Sequence, residues 1–266
     1  MEDKMKKYPR TPHLQGSRLQ VGDEDLSQIK FDEIANKNIV IEEKIDGANS
    51  AISFSHDGEL LLQSRGHYLT GGYRERHYNL MKQWANVHKN KFWEVLGTRY
   101  IMFGEWMYAK HAVYYDALPS YFMEFDIFDK EKQIYLSTDE RRKITSKLPV
   151  HSVPVLAEGK FKNLKQVLSY LGPSKYITDN YLDNLKETLS KLNIEETEVL
   201  NQTQKSNTME GLYIKVEENG EVVFRVKFVR ASFTQTQLMS DDNWLNKPII
   251  PNKLVGSLDD MFDMNY

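Results

Sequence analysis

Residues 38–50 read NIVIEEKIDGANS. The β-branched run NIVIEEK predicts a short strand, and that strand delivers Lys44 to a polar turn, with Asp46 two residues further on. Two readings fit this turn. One is a D-G turn flanked by a surface lysine. The other is chemical. A lysine amine is a poor nucleophile while protonated, and cationic neighbours together with desolvation would favour its neutral form and allow covalent attack. On that reading Gly47 lets the backbone approach a nucleotide closely, and Asn49 adds a short polar handle.

Working outward, AISF and ELLLQ flank the turn HDGE within residues 51–63, a strong hairpin signal. Residues 77–96 favour a helix with Leu80, Trp84, Val87 and Lys91 on one face. RYIMFGEW and the aromatic-rich YFMEFDIFD predict two further strands. Ser137 followed by Glu140 has capping-box spacing ahead of ERRKITSKL. FKNLKQVLSYL places Phe161, Leu164, Leu168 and Leu171 on one helical stripe, and YLDNLKETLSKL continues the helical region. NQTQKSNT reads as a mobile surface loop before a second hairpin, MEGLYIKVEENGEVVFRVKFV. In its second strand Val222, Phe224, Val226 and Phe228 point one way and Arg225 and Lys227 the other. Those two cations meet either an anionic ligand or solvent.

With 266 residues the chain can build one ample core or two modest domains. Its 35 Lys and Arg against 38 Asp and Glu exclude a uniformly basic nucleic-acid wrapper. The net charge of −3 hides blocks of opposite sign, however: +3 over residues 1–22, −7 over 23–64, +5 over 65–111 and −4 beyond. The amino-terminal arm and the 65–111 segment could form a positive path for polyphosphate or a nucleic-acid backbone. The absence of cysteine removes disulfides, thiolate catalysis, Fe–S clusters and the usual zinc knuckles. The opening MEDKMKKYPRTPHL has no apolar signal core, and no stretch approaches a membrane span, so a cytoplasmic protein without membrane partners is expected.

Neither a GxxxxGK[ST] loop, nor GxGxxG, nor GxSxG, nor HExxH is present. An ordered series of other chemistry-bearing segments is. QSRG supplies Arg65 just after a strand, where a guanidinium can fork onto a phosphate. FGEW supplies Glu105, MEFDIFD supplies Phe125 beside Asp126, MEGLYIKV supplies Glu210 and Lys215, and FRVKFVR supplies Arg225 and Lys227.

This order resembles that of the covalent nucleotidyltransferases, which include polynucleotide ligases and mRNA capping enzymes. More closely it is similar to the RNA ligase family typified by the second RNA ligase of bacteriophage T4. Lys44-Ile45-Asp46-Gly47-Ala48-Asn49 stands where the family has KxxG followed by Asn, and Arg65, Glu105, Phe125 and Glu210 match the next four functional positions. The family's last strand commonly presents two lysines one residue apart, where this chain has Arg225 and Lys227.

The resemblance implies an α+β nucleotidyltransferase fold, an ATP-grasp-like two-sheet adenylation domain with mixed or antiparallel sheets around a nucleotide cleft. By the same resemblance Lys44 attacks the α-phosphate of ATP to give lysyl-AMP, Phe125 stacks on adenine, and Glu105 and Arg65 contact ribose and phosphate. Asn49, Glu210 and Lys227 organise phosphate and Mg²⁺ or Mn²⁺. Glu43 and Arg225 join the nucleotide-binding set, and Glu210 and Asp46 hold metal, in part through water. The AMP then passes to a 5'-phosphate of a nicked or broken RNA, which is sealed to a 3'-hydroxyl. A separate kinase or phosphatase would prepare the ends. An ATP-dependent DNA ligase, or a noncatalytic nucleic-acid-binding protein retaining the fold, are the alternatives.

The expected organisation is a basic arm over residues 1–30, an adenylation domain over 31–235 with a helical elaboration at 139–192, and a short acidic tail over 236–266 in place of a complete second domain. Arg10, His13 and Arg18 of the arm would approach substrate phosphates, or the arm is a packed lid, with Tyr8 and Leu14 as its anchors.

Overall fold

Ile39 and Ile41 alternate with Val40, Glu42 and Lys44 along one strand, and this alternation sets the architecture: the isoleucines enter an apolar core and the charged residues face a second sheet. The computed structural model describes residues 4–233 and 248–264, apart from 20, 21 and 24. In chain order the strands and helices are β1 (His13–Leu14), β2 (Gln28–Ile29), β3 (Ile39–Lys44), β4 (Ala48–Phe54), β5 (Leu60–Ser64), α1 (Asn79–Val87), α2 (Lys89–Leu96), β6 (Tyr100–Trp106) and β7 (Phe122–Asp129). They continue with β8 (Ile134–Tyr135), α3 (Thr138–Thr145), β9 (His151–Ser152), β10 (Val155–Gly159), α4 (Leu164–Leu168), α5 (Tyr181–Lys191), α6 (Glu196–Asn201), β11 (Gly211–Glu218) and β12 (Glu221–Val229).

The result is an α+β fold with two six-stranded sheets. The first has the order β10-β3-β11-β12-β1-β2, antiparallel except where β1 runs parallel to β12 and β2. The second has the order β5-β4-β6-β7-β8, all antiparallel, with β9 parallel to β7. The arm therefore contributes two strands: His13 pairs with Lys227 and with Gln28. Leu14 is fully buried, and Tyr8 packs among Phe103, Phe125 and Tyr135.

Each sheet has its own core. Leu212, Ile214, Val216, Val226 and Phe228 join Ile39 and Ile41 on the outer side of the first sheet, where Phe161 and Val167 cover them. The second sheet packs on α1 and α2 through Met81, Trp84, Phe92 and Leu96. Here the structure departs from a single helix over 77–96. The chain makes two helices joined at His88, and the buried stripe runs through Met81, Trp84 and Ala85, whereas Val87 faces outward. The helix expected over Phe161–Leu171 is limited to α4, whose buried residue is Val167; Leu164 and Leu168 are only partly covered, and Phe161 and Leu171 lie outside it. Ser137 caps α3 by accepting from the Glu140 backbone N–H, as its spacing predicts.

Between the sheets lies a buried charge network. Arg141 of α3 donates to Glu42 (2.8 Å) and Glu124 (2.9 Å), and Lys215 pairs with Glu42 (2.8 Å) and Asp126 (3.2 Å). All five side chains are essentially inaccessible to solvent. Charges so far from water persist only when each meets an opposite charge. This network ties Glu42 and Lys215 of the first sheet, Glu124 and Asp126 of the second, and the helix between them.

The segment NQTQKSNT is not a free surface loop. Thr203 and Gln204 are buried, the Gln204 N–H donates to the Ala112 carbonyl (2.9 Å), and Tyr181 donates to the Gln204 carbonyl (2.9 Å). Residues 236–247 of the expected tail lie outside the described residues. Further on, Asn252 is buried and donates to the Met107 carbonyl (2.6 Å). No helix among the described residues is long and apolar enough to cross a membrane.

Candidate active site

Where β3 ends and β4 begins, the two sheets diverge around a cavity of about 750 Å³. Its wall includes Glu43, Lys44, Asp46, Asn49, Arg65, Glu105, Phe125, Glu210 and Lys227. Nine of the ten residues expected at the site thus line one space, although they come from six separate segments.

Lys44 points into this cavity from the end of β3, its Nζ 2.7 Å from Glu210 Oε1. Among the described residues its ion pair is with a carboxylate, and a cation that acts on it is Lys227 across the cavity. Burial alone would lower the lysine pKa, but Glu210, Asp46 and Glu105 outweigh it and raise the value above that of a free lysine. Burial raises the Glu210 pKa in turn, opposed by Lys44. Glu105 lies beside Asn49 across the β4–β6 ladder. Burial pushes it up to about 7, with Lys44 and His111 opposing. Glu43 points to the other side of β3, and burial also raises it to about 7 against contributions from Ser174 and Lys175.

Asp46 serves the backbone. Its Oδ2 accepts from the Ala112 N–H (2.8 Å) and the Val113 N–H (3.1 Å), its own N–H donates to Tyr115 Oη (2.8 Å), and His111 lies 3.7 Å from Oδ1. Burial works against its charge, but His111 and Lys44 hold the carboxyl below its usual range. Asp46 thereby pins the 111–113 segment against the Lys44 turn, and its committed oxygens fit a direct metal ligand poorly. Glu105 fits better, because its Oε2 is buried without a hydrogen-bond partner. Glu210 is the nearest negative charge to Lys44, and Glu105 adds to it only when it ionises, at about pH 7. Among the described residues, no group of three or more His, Asp or Glu side chains could hold a metal on its own.

Gly47 has a different role from the one its sequence suggests. A Cβ at this position would lie 2.4 Å from Met107 Sδ and 3.2 Å from the Trp106 carbonyl oxygen. The glycine therefore allows the turn to pack on β6 rather than on a ligand.

Phe125 occupies a β-bulge. Phe103 pairs with Asp126 and Gly104 with Glu124, which leaves Phe125 as the extra residue of β7. A bulge re-aims a side chain, and this one directs Phe125 toward the cavity while its freed carbonyl accepts from buried Lys215. Tyr8 meets the Phe125 ring edge-on at 5.0 Å. Its hydroxyl donates to Asp126 Oδ2 (2.5 Å) and lies 2.8 Å from that of Tyr213.

The two cations of β12 part company. Lys227 lines the cavity and pairs with Asp23 of the arm. Burial lowers its pKa, opposed by Asp23 and reinforced by nearby Lys44. Arg225 is not a cavity residue. Its guanidinium lies 4.2 Å from the Tyr135 ring centroid and 3.4 Å from Asp126, behind Tyr8. A phosphate-facing Arg225 is thus replaced by one that braces the sheets.

The arm's own cations are also engaged locally. Arg10 pairs with Asp25 (2.6 Å) and Asp23 (3.3 Å), buried His13 contacts Ser17 (2.7 Å) and Asp23 (3.3 Å), and Arg18 donates to the carbonyls of Ala231 and Phe233. Arg65 stands exposed at the cavity edge. Sequence reading missed Asp23, His111 and the Glu42–Arg141 pair. The signal available for the last was an acidic residue inside the apolar strand NIVIEEK.

Comparison with known proteins gives one family match, to the RNA ligase model, over residues 37–229. No curated protein matches the chain. Among solved structures, a Naegleria gruberi RNA ligase mutant with ATP and Mn is 20% identical over 74% of this chain and 50% of that one, with a TM-score of 0.48. A second mutant with ATP and Mn is 19% identical, with coverage of 84% and 60% and a TM-score of 0.49. A third, with AMP and Mn, is 17% identical, with coverage of 82% and 53% and a TM-score of 0.49. The aligned part of this chain spans about half the length of these structures. The family match takes in more than half of the 266 residues and every strand that borders the cavity on either sheet, and this chain belongs to the RNA ligase family.

Proposed function

We propose that this chain carries out the adenylylation chemistry of an ATP-dependent RNA ligase, with Lys44 as the covalent nucleophile. The observation that carries this reading is Lys44 Nζ, 2.7 Å from Glu210 and facing a cavity of about 750 Å³ within the family-matched region. Nζ of neutral Lys44 attacks the α-phosphorus of ATP. The N–P bond forms as the anhydride P–O bond breaks, and its electron pair leaves with pyrophosphate. A 5'-phosphate oxygen of RNA then displaces Lys44 from the adenylyl group, and a 3'-hydroxyl displaces AMP from the activated end.

Phe125 offers its ring to the adenine, supported by Tyr8. Glu105 borders the nucleoside, Arg65 and Asn49 border the phosphates, and Lys227 meets phosphate once Asp23 yields its place, whereas the Glu43 carboxyl points away toward Ser174 and Lys175. Glu210 and Glu105 are the side chains that would hold Mg²⁺ or Mn²⁺, with Asp46 reaching it only through water. When bound, such an ion supplies positive charge against the developing charge of the transition state. Withdrawing Glu210 from Lys44 leaves burial as the dominant influence on the amine, and burial favours its neutral form.

The test follows labelled AMP. Protein incubated with adenine-labelled ATP and Mg²⁺ or Mn²⁺ is expected to acquire label, then pass it to 5'-phosphorylated RNA. Label that forms but moves only to DNA ends would reassign the substrate. RNA binding with no label under either metal would favour a noncatalytic binding protein.

A further inference from the structure

We propose that Tyr73 is a base-stacking platform at the mouth of the Lys44 cavity, receiving an unpaired base of a single-stranded RNA end whose backbone lies along Arg65, Arg74 and Arg76. This rests on the ligase reading above and adds to it the side chain that meets the strand.

Between Arg65 and Lys82 the chain has four Lys or Arg and a single acid, Glu75. That acid is turned inward. Glu75 is 5% exposed, accepts from the Thr70 N–H (3.2 Å) and the Gly71 N–H (2.8 Å), and pairs with Lys82 (2.5 Å). The only carboxylate of the segment is thus spent on shaping the loop, and Arg65 and Arg74 remain exposed on its outer side.

On this basic loop stands Tyr73, at 62% the most exposed aromatic side chain among the described residues. The next two, Trp93 and Tyr170, rest edge-on against the buried rings of Phe54 and Phe161. Tyr73 is instead steadied by a cation. The Arg76 guanidinium lies 5.0 Å from its ring centroid, and Nη1 donates to its hydroxyl at 3.0 Å. Arg76 itself lines the cavity, so the ring stands one side chain from the space that Lys44 enters.

An exposed ring held by a guanidinium, on a loop whose remaining charges are positive, has the two components that single-stranded nucleic acid requires. Every base has a π-face to stack, and the cations follow the phosphates. Inside a duplex each base has both faces covered by its neighbours, whereas an unpaired base can turn a face onto the ring while its own backbone follows the loop's cations, so the platform favours an unpaired end over a blunt duplex.

The experiment compares the parent with Tyr73→Ala and Tyr73→Trp. Affinity for a short fluorescein-labelled, 5'-phosphorylated single-stranded RNA is measured by anisotropy at fixed salt, beside a blunt RNA duplex of the same sequence. AMP loading onto Lys44 is measured in parallel. Tyr73→Ala is expected to weaken single-strand binding on the order of tenfold, to leave duplex binding and AMP loading within about twofold, and Tyr73→Trp to restore the single-strand affinity. Unchanged single-strand binding in Tyr73→Ala, an equal loss for duplex, or failure of Tyr73→Trp to restore would overturn the platform. If the parent loads no AMP while the Tyr73 series still behaves as expected, the platform stands and the ligase reading falls.

Discussion

Lys44 Nζ and Glu210 Oε1 are 2.7 Å apart, joining the end of β3 to the residue that precedes β11, where Gly211 pairs with Lys44 in the ladder. The contact holds the amine charged, with Asp46 and Glu105 adding to it, while burial favours the neutral form. Replacing Glu210 by Gln removes the strongest attraction and leaves the burial. The Lys44 pKa is then expected to fall, and an amine-directed reagent at mildly alkaline pH should modify Lys44 roughly tenfold faster for each unit of that fall. Peptide mapping of the modified protein reads the effect. Equal rates in parent and variant would mean that Glu210 does not control the amine.

Glu105 gives a pH dependence of definite sign. Its folded pKa is about 7 against an ordinary value of 4.5, with burial the main cause. Its contribution to stability is fully present below about 4.5 and is lost as pH rises through about 7. Glu105→Gln lacks this loss, so its melting temperature relative to the parent should climb between those pH values and level off above them. A constant difference across the range would show that Glu105 is not held protonated.

Tyr8 bridges Asp126 of β7 and Tyr213 of β11 while its ring meets Phe125. Tyr8→Phe keeps the ring and loses both hydroxyl contacts, whereas Tyr8→Ala loses all three. For AMP loading, Tyr8→Ala is expected to raise the KM for ATP by about two- to tenfold, the range of an aromatic pair, with Tyr8→Phe closer to the parent. A larger effect from Tyr8→Phe would assign the role to the hydroxyl instead.

Arg141 tests the network between the sheets. It is 2% exposed and donates to Glu42 and Glu124, so Arg141→Ala leaves buried Glu124 without an opposite charge and Glu42 with Lys215 alone, and should cost about 3–5 kcal/mol in urea denaturation. Its neighbour Arg142 pairs with Asp139 and Glu158 at the surface, and Arg142→Ala should cost less than about 1 kcal/mol. Similar losses in the two variants would contradict the structural weight given to the buried network.

Much of the fold was legible because its strands announce themselves locally. NIVIEEK, AISF with ELLLQ, RYIMFGEW and the 209–229 hairpin are short apolar runs bounded by turns, and β3 to β6, β11 and β12 follow them. Lys44, Glu105 and Glu210 were legible because each sits at or next to a strand end. Phe125 was placed in a strand, but its bulge was not foreseeable, since one extra residue leaves no periodic trace in a strand that is buried on both faces. Arg225 and Lys227 share a face, yet only Lys227 lines the cavity. What separates them is Tyr8, more than two hundred residues distant in sequence. The arm's acids decide the fate of its cations in the same nonlocal way: Asp23 meets Arg10, His13 and Lys227 together.

Covalent chemistry at Lys44 is tested most directly by intact-mass and peptide analysis of the full chain after incubation with ATP and Mg²⁺ or Mn²⁺, beside Lys44→Ala. The expected result is one adenylyl group per chain, on the peptide that contains Lys44, released by pyrophosphate and absent from the variant. An adenylyl group on another residue, or its persistence in Lys44→Ala, would contradict the assignment of Lys44 as the nucleophile.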